Sequence, residues 1–203
     1  MKNIKFLFAL LAITFVSFSC DEDDTEEVPG DGTITIGVGN GSLVIDGNSS
    51  TIAGGIVINY GLFNSDPNNP LYNFDIELIS DDYVISGENI SGQGENVYFE
   101  LLTDDANGLK NGTYTLNQTA GDFTFIDSDV NLEYDFNTGS GTEIDIVSGT
   151  LEVTRNGNNY DLSWNISGDG GQSITGTYNG TLTLFNDDND DNDNDDNDDD
   201  SDD

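Results

Sequence analysis

The 203-residue chain sets 40 Asp and Glu against 4 Lys and Arg, for a formal net charge of −36, and contains no histidine and one cysteine. So negative a field repels phosphate and excludes nucleic acid as a partner. The missing histidines exclude Ser-His-Asp and Cys-His catalysis and His-based zinc sites, and a single cysteine cannot build a disulfide framework.

The chain begins "MKNIKFLFALLAITFVSFSC". Lys2 and Lys5 form a basic start, residues 6–16 are an apolar run, and the small residues Ser17 and Ser19 precede Cys20. The run is too short for a bilayer-spanning helix, which needs about 20 residues. It has the length of the apolar centre of a secretory signal, so residues 1–19 are excluded from the fold. Directly after the cysteine come Asp21, Glu22, Asp23 and Asp24, and residues 20–32 read as an acidic leader.

These residues resemble a bacterial lipoprotein signal, and the acids after the cysteine resemble the export cluster of surface-exposed Bacteroidetes lipoproteins. The resemblance implies cleavage before Cys20, acylation of Cys20, and export to the outer face of the outer membrane, directed by Asp21, Glu22, Asp23 and Asp24. Ser17 stands where that family usually has leucine, and Phe18 is bulky for the pattern. Two or three acyl chains would anchor the protein stably, at roughly 0.8 kcal/mol per buried methylene.

Residues 33–185 alternate apolar and polar positions with period two and break at Gly, Asn and Asp, which predicts short antiparallel strands joined by tight turns. Candidate strands run through "TITIG", "SLVID", "GGIVINYG", "YNFDIELI", "NVYFELL", "GTYTLN", "DFTFI" and "VNLEYDF". They lead into a meander over residues 148–185, with turns at Asn156-Gly157 and Gly168–Gly171. Tyr160, Leu162, Trp164 and Ile166 share its inner face, as do Ile174, Tyr178, Leu182 and Leu184. Ile144 and Ile146 differ in parity from Leu151 and Val153, which predicts a β-bulge near Gly149. The expected fold is all-β: a single antiparallel sandwich or flattened meander barrel of about ten strands. The strand order also resembles small all-β lipoproteins of the Bacteroidetes, a likeness of turns and strands that transfers no site residue.

Four features could carry function. Asp127, Asp129, Asn131, Glu133 and Asp135 fall on one strand face opposite Val130, Leu132, Tyr134 and Phe136, a ladder that reads first as a solvated face. Glu100, Glu133 and Glu152 could in principle pair for hydrolysis, but each already fits a solvent-facing strand position. Tyr72, Tyr98, Phe123 and Phe125 could form a stacking platform for sugar, although core packing is the favoured reading for most of them. Residues 64–70, "NSDPNNP", read as the longest irregular loop.

The Asp/Asn-rich segment 186–203 lacks apolar residues and is expected to be disordered. It lacks the Gly and Glu that a high-affinity calcium loop requires.

Taken together, the sequence predicts a lipid-anchored cell-surface binding or structural protein without enzymatic activity or cofactor. Its expected partners are the membrane, through the acyl chains, and a polysaccharide. The alternative is an adhesion or structural protein whose acidic surface and tail bind calcium weakly.

Overall fold

The computed structural model describes residues 36–64, 66, 68–86 and 89–186. The signal segment, the acidic leader with Cys20, and the Asp/Asn-rich segment from residue 187 onward lie outside the described residues. Among those described there is no helix.

The strands are β1 (Gly37–Ile45), β2 (Asn48–Asn64), β3 (Leu71–Ser80), β4 (Val84–Ser86), β5 (Asn89–Ser91), β6 (Gln93–Thr103), β7 (Gly112–Leu116), β8 (Thr124–Asp135), β9 (Ser140–Asn156), β10 (Asn159–Gly168), β11 (Ser173–Thr181) and β12 (Thr183–Asn186). In the order β1-β2-β3-β6-β8-β9-β10-β11 each strand pairs antiparallel with the next, and β11 pairs back to β1. The sheet therefore closes into an up-and-down barrel, which decides between the two expected architectures. Of the rest, β4 and β5 form a separate hairpin, and β7 is wedged between β8 and β9. After a break at Leu182 the last strand, β12, joins β2 in parallel.

Alternation decides which side is filled. Tyr160, Leu162, Trp164 and Ile166 point inward, while Asp161, Ser163 and Asn165 are exposed. Eight strands leave an interior just wide enough for side chains. Here Phe99 meets Phe125 and Trp164 edge-on, with ring centroids 5.6 and 6.0 Å apart. Trp164 fits because Gly176 lies beneath it: a Cβ there would stand 2.0 Å from the indole ring. An apolar lumen inside a polar wall is the reverse of a membrane-spanning barrel.

Two irregularities set the register. The parity change in β9 is absorbed at Val147, which is left over between Ile146, paired with Gly168, and Ser148, paired with Ser167; Gly149 beside it has a φ of +135°. In β8, Glu133 sits at a φ of +50° where the pairing slips. That bulge overturns the expected face: Leu132 packs on the main core, whereas Phe136 joins a small cluster outside the barrel with Tyr83. Leu184 also departs from expectation, being exposed because β12 begins after the break at Leu182.

The loop at residues 104–111 and strand β7 cover one end of the barrel, sending Leu109 and Tyr114 into the core. Both the 104–111 and 117–123 connections are longer than the 65–70 connection between β2 and β3, contrary to the sequence reading. Asn186, assigned to the acidic tail, ends β12 instead.

Candidate functional site

Outside the barrel, β3, β6 and β8 lie side by side and bring their outward residues into rows. Asp75 is opposite Glu100, which is opposite Asp127; Glu77 is opposite Tyr98, which is opposite Asp129; Ile79 is opposite Asn96, which is opposite Asn131. Asn73 extends the face on β3. On the other faces of these strands Phe74, Ile76, Leu78, Val97, Phe99, Leu101 and Val130 enter the core, which fixes the polar set outward.

Solvent does not reach this face evenly. Asp127 is exposed and Tyr98, Glu100 and Asp129 are half-buried, but Asp75 and Glu77 are only 8% and 7% exposed. Glu77 lines a cleft of about 20 Å³ roofed by Ile36, Ile56, Ile79 and Ile90. These isoleucines belong to the outer cluster built from the start of β1, the β4–β5 hairpin and β2–β3.

The hydrogen bonds are one-sided. Asn73 Nδ2 donates to Glu100 Oε1 at 2.9 Å, Asn96 Nδ2 to Glu77 Oε1 at 3.2 Å, and Asn131 Nδ2 to Asp129 Oδ1 at 2.7 Å. The Tyr98 hydroxyl donates to Asp75 Oδ2 at 2.8 Å, and Tyr60 also bonds the Asp75 side chain. The amide and hydroxyl donors of the face are thus engaged within it. Asn73 Oδ1, Asp75 Oδ1, Glu77 Oε2 and Asn96 Oδ1 are buried with no partner in the protein. Each such acceptor costs about 1–3 kcal/mol. Four of them on one patch is a concentration, since Trp164 Nε1 and Gln172 Oε1 are the other buried unpartnered side-chain polar atoms among the described residues.

Burial, joined by the charges of Glu100 and Asp127, pushes the Asp75 carboxyl up to about 8 despite its bonds to Tyr98 and Tyr60. Burial likewise pushes Glu77 up to about 8, reinforced by Asp129 and Asp75. Burial and Asp127 also raise Glu100. At neutral pH the two buried acids therefore hold protons.

The structure sorts the residues singled out in the sequence. It brings Asp127, Asp129, Asn131 and Glu100 onto this face. The bulge at Glu133 separates the end of the ladder, where Asp135 accepts bonds from Asn137 in the following turn. Glu152 accepts from Thr113 Oγ1 at 2.6 Å elsewhere. The four aromatics do not form a platform, in line with the core packing favoured for most of them: Phe125 is fully buried, Phe123 lies beneath Lys110 and beside Tyr114, and Tyr72 packs on the core. Only Tyr98 joins the face, together with Tyr60, which is 40% exposed.

The sequence reading missed Tyr60, Asn73, Asp75, Glu77 and Asn96. "YNFDIELI" did carry a signal: Asn73, Asp75 and Glu77 share one parity in a strand whose opposite parity is wholly apolar.

Comparison with known proteins returned no matching family model, curated protein or solved structure.

Proposed function

We propose that the chain is a lipid-anchored surface protein that binds glycan, without catalysis, on the outer face of β3, β6 and β8. Acylated Cys20 would hold it to the outer membrane, and Asp21, Glu22, Asp23 and Asp24 would direct it to the exterior. The observation that carries the reading is the polar face itself. Tyr60 and Tyr98 offer ring surface, and Glu100, Asp127 and Asp129 offer acceptors for sugar hydroxyls. The barrel lumen, filled by Phe99, Phe125 and Trp164, supports a surface site over an internal one.

Affinity electrophoresis through gels containing single polysaccharides tests this. Retardation by one glycan is expected, and it should disappear in Tyr60→Ala while thermal stability holds. Free migration of the parent protein through every gel would overturn the reading.

A further inference from the structure

Resting on the glycan reading, we infer that the sugar bound on the outer face of β3, β6 and β8 carries free amino groups, with Glu100 and Asp127 as the pair that meets an ammonium. Glu100 on β6 and Asp127 on β8 stand directly opposite each other on this face. Side chains so placed have Cβ atoms roughly 4.5–5.5 Å apart, and two like charges there work against the fold. Among the described residues no Lys or Arg relieves them. Lys110 is held by Asp104 and Asp122, and Arg155 by the Asn107 and Gly157 carbonyls.

The pair is the exposed end of a row whose other end is buried. Asp75, opposite Glu100 on β3, is only 8% exposed, and the charges of Glu100 and Asp127 both act on it. Its Oδ2 accepts from the Tyr98 hydroxyl at 2.8 Å, while its Oδ1 is buried without a partner. Asn73, on the same strand, donates through Nδ2 to Glu100 Oε1 at 2.9 Å, and its own Oδ1 is likewise unpartnered. A half-satisfied acid and amide behind an exposed acid pair is the condition of a site whose donors come from outside the protein.

What kind of donor fits follows from the opposed carboxylates. A sugar hydroxyl brings a single proton and no charge, so it bonds one carboxylate and leaves the repulsion in place. An ammonium brings three donors and a positive charge, enough for both carboxylates at once. Tyr60 and Tyr98 act in the same sense. Both hydroxyls bond the Asp75 side chain, which holds the rings beside the row, and an aromatic face attracts a cation. A metal ion fits less well, since among the described residues no three acidic, His or Cys side chains converge to hold one. Uronate or sulfate groups would bring further negative charge to a face without Lys or Arg.

Calorimetric titration of three tetrasaccharides into the chain from Asp21 to Asp203 tests this, at pH 6.5 in about 150 mM salt, where distant charges are screened. The three share one linkage and differ at a single carbon of each unit, which bears an amine (glucosamine), an acetamide (N-acetylglucosamine) or a hydroxyl (glucose). The amine form is expected to bind at least about tenfold more tightly than the other two. Glu100→Gln combined with Asp127→Asn should bring it down to their level. Glu152→Gln combined with Asp161→Asn removes the same charge from exposed positions on β9 and β10 and should leave the preference intact. Both double variants are checked for folding by circular dichroism. Binding of the amine form no tighter than the others would overturn the inference and leave glycan binding standing. A preference that survives Glu100→Gln with Asp127→Asn, or is lost equally in both double variants, would also overturn it. If none of the three binds, the inference falls, and the glycan reading falls with it only if the polysaccharide gels show no retardation either.

Discussion

Two regions of the barrel handle charge in opposite ways. At the end covered by residues 104–123, Lys110 Nζ lies 2.6 Å from both Asp104 Oδ1 and Asp122 Oδ2 and 4.4 Å from the centre of the Phe123 ring. Arg155 donates through Nη1 to the Asn107 carbonyl and through Nε to the Gly157 carbonyl. On the outer face of β3, β6 and β8 there is no cation, and four acceptor oxygens lack partners. The first region uses the domain's scarce positive charge to fasten loops. The second leaves buried acceptors unpartnered at a cost to the fold, which is the usual condition of a surface kept for something other than stability.

The comparison can be broken most forcefully at the fastened end. Tyr114 is fully buried, and its hydroxyl both accepts from the Lys110 amide at 3.0 Å and donates to the Lys110 carbonyl at 3.1 Å. Tyr114→Ala should cost about 3–5 kcal/mol in urea unfolding, as for other large aromatic-to-alanine changes.

Next in size is a pH effect that belongs to the outer face alone. The pKa values of Asp75 and Glu77 are raised on folding, so the stability they contribute is whole below about pH 4 and is lost as pH climbs through about 8. The midpoint of thermal unfolding should fall by roughly 5 °C or more between pH 5 and pH 8.5. Asp75→Asn combined with Glu77→Gln should flatten that slope; an unchanged slope would place the effect in the general self-repulsion of the acidic chain.

A smaller loss is expected from Lys110→Met, about 1 kcal/mol, because the pair is partly exposed and screened. Hydrogen exchange should quicken at the Asp104 amide, which donates to Asp122 Oδ1, while the β3 amides keep their protection. The smallest effect is expected from Asp127→Asn on the outer face, within about 0.5 kcal/mol, since the residue is exposed.

The meander from Ser140 to Thr181 was the most legible stretch of the chain, because its strands are long, their alternation is strict, and Gly157 and Gly171 mark the turns with positive φ. The parity of Ile146 against Leu151 even located a bulge to within two residues. Closure was not legible, because pairing of β1 with β11 joins residues 129 to 141 positions apart and leaves no local trace. The bulge at Glu133 was missed for a related reason. Its positive φ occurs in a residue type that rarely adopts it, so the reading carried the alternation straight through and put Tyr134 and Phe136 on the wrong face. The site suffered most. Asp75 and Glu77 alternate with apolar residues like any outward position, and the isoleucines that cover Glu77, among them Ile36, Ile56 and Ile90, come from parts of the chain distant from it in sequence.

The break at Leu182 has a mechanical consequence. Because β12 takes the place of β1 along β2, Gly37 and Asn186 lie beside the same stretch of β2, opposite Gly55 and Asn59. A load applied between Gly37 and Asn186 would run nearly along β2, so the four rungs that join β12 to β2 would be sheared together and not opened one by one.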